Sequence, residues 1–282
     1  MNYISISQAA AKFNVSERYV RKLCADGMIE GVAKIGKTWL VPENASIQSS
    51  PSINLVFGGD DNVGLETAIY LIEKGEKVCF ISNSEKQILK AVNFFQNTGP
   101  NLLYNVDASD EEALKKIRDN LSKYRISKII FSENSARFDK VENNVKQTIQ
   151  QNFRGPIYST VLVNAIFYPL MSNTNIIAFL HEKATTIGLP NESAFSAACH
   201  GLDGYLESII KASENDDKID NVLKVYTGAI DSDFWYTNNA EDVVKFPDKN
   251  RIPPRDLARI AIDTIYGKNT AVISEIRVRR NV

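Results

Sequence analysis

The stretch Ile53-Asn54-Leu55-Val56-Phe57-Gly58-Gly59-Asp60-Asp61-Asn62-Val63-Gly64-Leu65-Glu66-Thr67-Ala68 decides the fold of this chain. A short apolar run ends in two glycines, and a third glycine precedes a helix-like pattern of apolar residues. This order predicts a strand, a tight turn and a helix, which is the opening of a nucleotide-binding βαβ unit. Gly58 would allow the turn, and Gly64 would let the helix pack closely against the strand.

Two acidic residues in the same turn are unfavourable for the binding of a diphosphate by such a unit. A dinucleotide places its diphosphate at the N-terminus of this helix, where backbone N–H groups and the helix dipole favour an anion. Asp60 and Asp61 would repel that diphosphate. The sequence therefore predicts the scaffold of a cofactor site in which NAD(P) binds weakly or not at all.

Beyond this unit, strand-like apolar runs alternate with helical segments as far as the C-terminus. This alternation predicts an α/β domain over residues 53–282, built as a Rossmann-type doubly wound parallel sheet. Residues 46–52 are small and polar and indicate a linker. Residues 1–45 are then a separate small domain.

Composition narrows the class of protein. The chain has 282 residues and a formal net charge of −1, so no overall field attracts nucleic acid. Its three cysteines are scattered, which is typical of reduced thiols in a cytoplasmic protein. No apolar run is long enough to span a membrane, and two histidines without a Cys-x-x-Cys pair predict no metal site.

The first 45 residues predict two short helices followed by a hairpin. Ser5-Ile6-Ser7-Gln8 has the form of a capping box, and Ser16 can cap a second helix. The stretch from Gly31 to Pro42 then indicates two strands with a turn around Gly36.

This segment resembles the winged helix-turn-helix domain of the excisionase and MerR-like families. The resemblance implies binding to double-stranded DNA, with the second helix in the major groove and the hairpin on the phosphate backbone. The residues that would contact DNA are Ser16, Arg18, Tyr19, Arg21, Lys22, Lys34 and Lys37. The alternative is a solvated basic face on a small helical domain.

Residues 53–282 resemble the short-chain dehydrogenase/reductase family. The family's glycine turn corresponds to Gly58, Asn62 and Gly64, so the middle glycine is replaced by asparagine. The resemblance implies that Asp107 contacts adenine and that Asn152 is the asparagine of the long helix.

The catalytic positions of that family have changed. Its tyrosine and lysine correspond to Phe195 and Cys199, and its serine falls near Glu182. Phenylalanine has no proton to give, and cysteine cannot replace a permanent cation. Catalysis of the family's usual type is therefore not expected. Another arrangement of the same cleft, a Cys199–His181 pair with Glu182 nearby, would suit a nucleophile.

These patterns lead to two hypotheses of different classes. The first is a DNA-binding transcriptional regulator whose dehydrogenase-like domain is a pseudoenzyme that serves for oligomerisation and for sensing a small-molecule effector. The alternative is an NAD(P)-dependent oxidoreductase with relocated catalytic residues and an accessory N-terminal domain. Long apolar helical segments at 141–170 and 193–211 predict a homodimer or homotetramer in either case. The aromatic stretch Phe234-Trp235-Tyr236 would cover a ligand or pack against a partner.

Overall fold

The computed structural model describes residues 2–25, 28–46, 51–96, 98–99, 101–132, 136–143, 146–188, 190–232, 251–267 and 272–280. The chain divides into two compact units, Met1–Ser52 and Ile53–Val282. Among the residues that the structure describes, no helix has the length and apolar character needed to cross a bilayer.

The N-terminal unit contains two helices and a three-stranded antiparallel sheet. Its elements are β1 (Tyr3–Ser5), α1 (Ile6–Phe13), α2 (Glu17–Ala25), β2 (Ala33–Ile35) and β3 (Thr38–Pro42), with the strand order β1-β3-β2. Ser5 and Gln8 form the predicted capping box at the start of α1. The Ser16 hydroxyl accepts a hydrogen bond from the backbone N–H of Tyr19, at 3.2 Å, and so caps α2.

The C-terminal unit is a seven-stranded sheet covered by helices. Its strands are β4 (Ser52–Gly58), β5 (Val78–Ser82), β6 (Leu102–Asn105), β7 (Arg125–Ser132), β8 (Met171–His181), β9 (Ile219–Thr227) and β10 (Glu275–Val278). Among the residues that the structure describes, its α-helices are α3 (Val63–Glu73), α4 (Glu85–Phe95), α5 (Glu111–Asn120), α6 (Lys146–Phe153), α7 (Thr160–Phe167), α8 (Glu182–Thr186), α9 (Ser193–Ser213) and α10 (Pro254–Tyr266). The strand order is β10-β9-β8-β7-β4-β5-β6, and the predicted parallel sheet is confirmed.

Alternate residues of the strands face two separate hydrophobic layers. On β4, Leu55 and Phe57 pack in the layer that contains residues of α5, α7 and α9. Val56, between them, packs in the opposite layer with residues of α3, α4 and α10. This alternation is what a strand covered on both faces requires.

The strand order reverses next to β4, because β5 and β6 lie on one side of it and β7 to β10 lie on the other. In open α/β sheets, ligands bind outside the carboxyl ends of the strands at this switch point. Gly58 ends β4, and the backbone N–H of Gly59 donates to the carbonyl of Ser132, the last residue of β7. The glycine turn therefore lies at the switch point.

The helical region predicted over 141–170 is not one continuous α-helix. A π-helical segment, Arg154–Ser159, joins α6 to α7, and short 3₁₀ turns at Val141–Asn143 and Tyr168–Leu170 lie at either end. Pro156 lies inside the π-helical segment, where it has no N–H to give to a helical hydrogen bond.

Candidate functional site

The glycine turn between β4 and α3 is closely packed. A Cβ atom on Gly64 would lie 2.5 Å from the Cα of Gly58, and one on Gly58 would lie 2.7 Å from the ring of Phe80. Asn62, at the position of the missing glycine, has φ of 62°. Asparagine tolerates this left-handed conformation better than most residues, which explains how the turn keeps its shape without a glycine there.

The two acidic residues of the turn lie in different places. Asp61 is 1% exposed, and its carboxylate accepts from the backbone N–H of Val63, at 3.0 Å, and from the hydroxyl of Ser132, at 3.3 Å. Asp60 instead accepts a hydrogen bond from the hydroxyl of Ser84, at 2.6 Å. Asp61 thus stabilises the turn from inside, as Asp side chains do when they bond to backbone two residues ahead. The two carboxylates are therefore not equivalent, and the prediction that both act in the same way on a bound diphosphate needs correction.

Asp107, after β6, belongs to a polar cluster at the same edge of the sheet. One of its oxygens accepts from the N–H of Ser109, at 2.8 Å, and from its hydroxyl, at 2.5 Å. The other lies 2.9 Å from Nη2 of Arg154, in the π-helical segment. A groove of about 500 Å³ adjoins this cluster, and its lining residues are Ser109, Gln150, Phe153, Arg154 and Tyr158. Sequence reasoning found Asp107 but missed Arg154.

Asn152 is buried and holds α6 against the segment that follows β7. Its amide group donates to the carbonyls of Arg137, at 3.1 Å, and Thr148, at 2.9 Å. Its side-chain oxygen accepts from the N–H of Arg137, at 2.9 Å. All three contacts are to backbone, so Asn152 positions structure in this region.

An apolar cluster occupies the positions that correspond to the family's tyrosine and lysine. Its buried members are Ala136, Phe138, Ala184, Phe195 and Cys199. Phe195 is 1% exposed, and its ring centroid lies 5.5 Å from that of Phe138 and 5.2 Å from that of His181. The residues at these two positions are therefore packed as hydrophobic core.

Burial suppresses the acid–base chemistry of the neighbouring ionisable groups. It raises the pKa of the Cys199 thiol to about 12, with the charge of Glu192 adding to the effect. It lowers the pKa of His181 to about 4. At neutral pH the thiol is protonated and the imidazole is neutral, so the Cys199–His181 pair does not form the thiolate that a nucleophile requires.

Glu182, at the start of α8 and predicted to lie near the position of the family's serine, is paired with a residue that follows β10. Nε of Arg279, just after β10, donates to both carboxylate oxygens, at 2.9 and 3.0 Å, and Nη2 also donates to Oε1. The Glu182 side chain is 10% exposed and that of Arg279 is 69% exposed. This ion pair joins residues that are 97 positions apart, and sequence reasoning did not anticipate it.

One predicted part of the site cannot be placed, and the described residues hold no candidate metal site. The aromatic stretch Phe234-Trp235-Tyr236 is outside the described residues. Within the described part of the chain, no group of three His, Cys, Asp or Glu residues could hold a metal ion.

Two of the basic residues that were predicted to contact DNA have partners within the N-terminal unit. Arg21 pairs with Glu17 at 2.7 Å, and the Lys34 ammonium lies 5.0 Å from the centre of the Trp39 ring. Arg18, Tyr19 and Lys37 are exposed, and the side chain of Lys22 is outside the description.

The fold and the glycine turn define a doubly wound α/β domain of the nucleotide-binding type. Residues 52–242 match the family model of the short chain dehydrogenases, and the chain belongs to that family. No curated protein matches the sequence.

Solved structures share the fold at low sequence identity. A short-chain dehydrogenase/reductase from Vibrio parahaemolyticus is 17% identical with a TM-score of 0.67, over 81% of this chain and 96% of that one. An alcohol dehydrogenase from Thermococcus sibiricus, complexed with 5-hydroxy-NADP, is 13% identical with a TM-score of 0.69 and the same coverage. An NADPH-bound short chain oxidoreductase from Pseudomonas aeruginosa PAO1, which contains an atypical catalytic center, is 18% identical with a TM-score of 0.67, over 82% and 96%.

These findings correct the first functional hypothesis. The prediction of a DNA-binding transcriptional regulator with a pseudoenzyme domain is wrong, because most of the chain belongs to an oxidoreductase family and none of the comparisons supports DNA binding. None of them supports a winged helix-turn-helix identity for residues 1–45 either. The error came from taking the function of the whole chain from a resemblance over its first 45 residues, whereas the larger C-terminal unit carries the family match.

Proposed function

We propose that the chain is an NAD(P)-dependent oxidoreductase whose acid–base group lies outside the family's tyrosine and lysine positions. The observation that carries the proposal is the glycine turn, in which Gly64 approaches the Cα of Gly58 too closely for any side chain. Membership of the short chain dehydrogenase family supports it. The Thermococcus sibiricus and Pseudomonas aeruginosa proteins hold NADP-type ligands, which supports a nicotinamide dinucleotide as the class of cofactor.

The residues at the switch point fit a dinucleotide. The N-terminus of α3, beside Asn62 and Gly64, would hold the diphosphate. Asp61 takes up the N–H of Val63, but the first turn of a helix carries several N–H groups without intrahelical partners. Asp107 would contact the adenosine half. A bound nicotinamide ring would supply or accept the hydride.

Glu182 is the group that we assign to proton transfer. Phe195 has no ionisable group, and the Cys199 thiol stays protonated at neutral pH. The bidentate pairing with Arg279 favours the ionised form of the Glu182 carboxylate. An ionised carboxylate can accept a proton, so the proposal assigns to Glu182 the removal of a proton from an alcohol substrate during its oxidation, with a basicity that the pairing with Arg279 lowers.

Dinucleotide binding by the full chain tests the first part of this proposal. NADH fluorescence should show saturable binding to the wild type, and Gly64→Ala should weaken it, because a Cβ there displaces the helix N-terminus. Gly204→Ala is a matched control, since no atom lies within 4 Å of a Cβ at that position. Absence of NADH and NADPH binding to the wild type would refute the proposal.

Turnover tests the assignment of Glu182. With NAD(P)⁺ and a panel of primary and secondary alcohols, Glu182→Gln should lower kcat roughly 10²–10⁴-fold, which is the usual contribution of one acid–base group. Its dinucleotide affinity should stay at the wild-type value. Unchanged turnover in Glu182→Gln would remove this residue from the mechanism.

We also propose that the chain forms a homodimer or homotetramer through 141–170 and 193–211. Val163 and Phe167, in the first of these segments, are buried in the chain's own core. The apolar side chains that remain exposed in this region include Ile149, Tyr158 and Val161, at 46%, 52% and 39%. Light scattering should give at least twice the monomer mass at micromolar concentration, and a monomer mass would contradict the proposal.

A further inference from the structure

The carboxyl end of β5 lies beside the glycine turn, and hydrogen bonds join the two segments. The hydroxyl of Ser84, the residue before α4, donates to Oδ1 of Asp60 at 2.6 Å. The backbone N–H of Ser84 in turn donates to the hydroxyl of Ser82, the last residue of β5, at 3.1 Å. The Asp60 carboxylate is therefore held next to the end of β5.

This place has a defined role in doubly wound dinucleotide folds. The ribose of the adenosine half lies there, and an acidic residue bonds its 2′-hydroxyl in NAD, whereas a basic residue accommodates the 2′-phosphate in NADP. Ser82 and Asn83, the residues at the end of β5, carry no charge. Asp60 brings a carboxylate to the same place from the glycine turn.

We propose that Asp60 determines cofactor specificity, selecting NAD(H) and rejecting NADP(H); this inference rests on the proposed function. A carboxylate has two oxygens and about four acceptor positions, so Asp60 can accept from a ribose hydroxyl while it accepts from Ser84. A phosphate monoester carries a charge between about −1.5 and −2 at neutral pH. That charge would be repelled by Asp60.

Lys90 is the cation that would argue for the opposite preference. Its ammonium donates to Oδ1 of Asn62 at 3.2 Å, and the amide of Gln87 donates to the same oxygen at 2.6 Å. Lys90 is exposed, so solvent and salt screen its charge. The Asp60 carboxylate, by contrast, is bonded directly to Ser84 at the end of β5.

Dissociation constants of NADH and NADPH, measured by fluorescence with the full chain, test this inference. The wild type should bind NADH at least about tenfold more tightly than NADPH, since one like-charge contact near a protein surface readily exceeds the 1.4 kcal/mol of a tenfold difference. Asp60→Asn keeps the shape of the side chain and removes its charge. It should reduce the preference to about threefold or less, mainly through tighter NADPH binding.

Two further variants test whether the preference depends on the charge of Asp60 itself or on any negative charge nearby. Glu85→Gln removes an exposed carboxylate next to Ser84 in the sequence and should leave the preference unchanged. Asp60→Ser should reduce the preference for NADH as Asp60→Asn does. This result would show that the effect comes from loss of the charge and not from the amide group of asparagine. Thermal melts should show that all variants are folded.

The outcomes distinguish failure of this inference from failure of the proposed function. Binding of neither dinucleotide to the wild type would overturn both. Equal or tighter binding of NADPH by the wild type would overturn the role of Asp60 and leave the oxidoreductase proposal standing. Loss of that NADPH binding in Lys90→Ala would identify Lys90 as the determinant instead. A preference for NADH that Asp60→Asn leaves intact would also overturn the inference.

Discussion

The close approach of α3 to β4 makes Gly64→Ala the sharpest test of the packing at the site. A Cβ at this position would lie 2.5 Å from the Cα of Gly58, which is backbone and cannot rotate away. Carbon atoms in contact are normally about 3.5–4.0 Å apart, so the helix must move by roughly 1 Å. Overpacking of this kind costs about 1–3 kcal/mol.

For a unit of this size, each kcal/mol lowers the melting temperature by about 2–4 °C, so Gly64→Ala should lower it by roughly 2–12 °C. The measurement is thermal unfolding followed by circular dichroism, with the transition of the C-terminal unit fitted separately where two transitions are seen. Gly204→Ala is the control, because it lies inside α9 with open space around its Cβ. It should stabilise the unit by about 0.5–1 kcal/mol, as alanine does in place of glycine within a helix.

A melting temperature of Gly64→Ala within 1 °C of the wild type, or a change equal to that of Gly204→Ala, would refute the packing argument. It would also remove the observation that carries the proposed function. A fall in stability with unchanged NADH affinity would confirm the packing and separate it from cofactor binding.

The remaining predictions concern buried polar groups. The pKa of His181 is about 4 in the folded chain against 6.5 for the free side chain, so protonation favours unfolding. The free energy of unfolding should carry no penalty from His181 above pH 6.5 and should fall by up to about 3 kcal/mol as the pH drops from 6.5 to 4. Urea titrations at several pH values should show this fall in the wild type and a smaller one in His181→Leu. Asn152→Ala leaves buried backbone groups without partners and should cost about 1–3 kcal/mol, whereas a cost below 0.5 kcal/mol would show that water replaces the amide. Cys24, Cys79 and Cys199 are all buried, so native protein should react slowly with a thiol reagent at pH 8 and rapidly after unfolding; one fast thiol would contradict this burial.

Much of the fold could be predicted from local patterns. Apolar runs of strand length, separated by helical periodicity, indicate a parallel sheet with helices on both faces, and the seven strands follow that order. The glycines at 58 and 64 indicated the turn because close packing of a helix on a strand excludes side chains. The functional prediction was wrong because it took the role of the whole chain from a resemblance over residues 1–45, while residues 52–242 match a different family. Arg21, one of the residues predicted to contact DNA, forms an exposed ion pair with Glu17 one helical turn away.

The sequence by itself determined the class of the C-terminal unit, because hydrophobic periodicity and glycine spacing are local properties that survive without knowledge of contacts. It also predicted that Phe195 and Cys199 stand at the positions of the family's tyrosine and lysine, a prediction that needs only the spacing of residues along the chain. Only the tertiary structure decided where the acidic residues of the turn point. Asp60 and Asp61 are neighbours in sequence, but one bonds to Ser84 and the other to Val63 and Ser132. The pairing of Glu182 with Arg279 likewise depends on the parallel sheet, which brings the ends of β8 and β10 to one edge although the two residues are far apart in the chain.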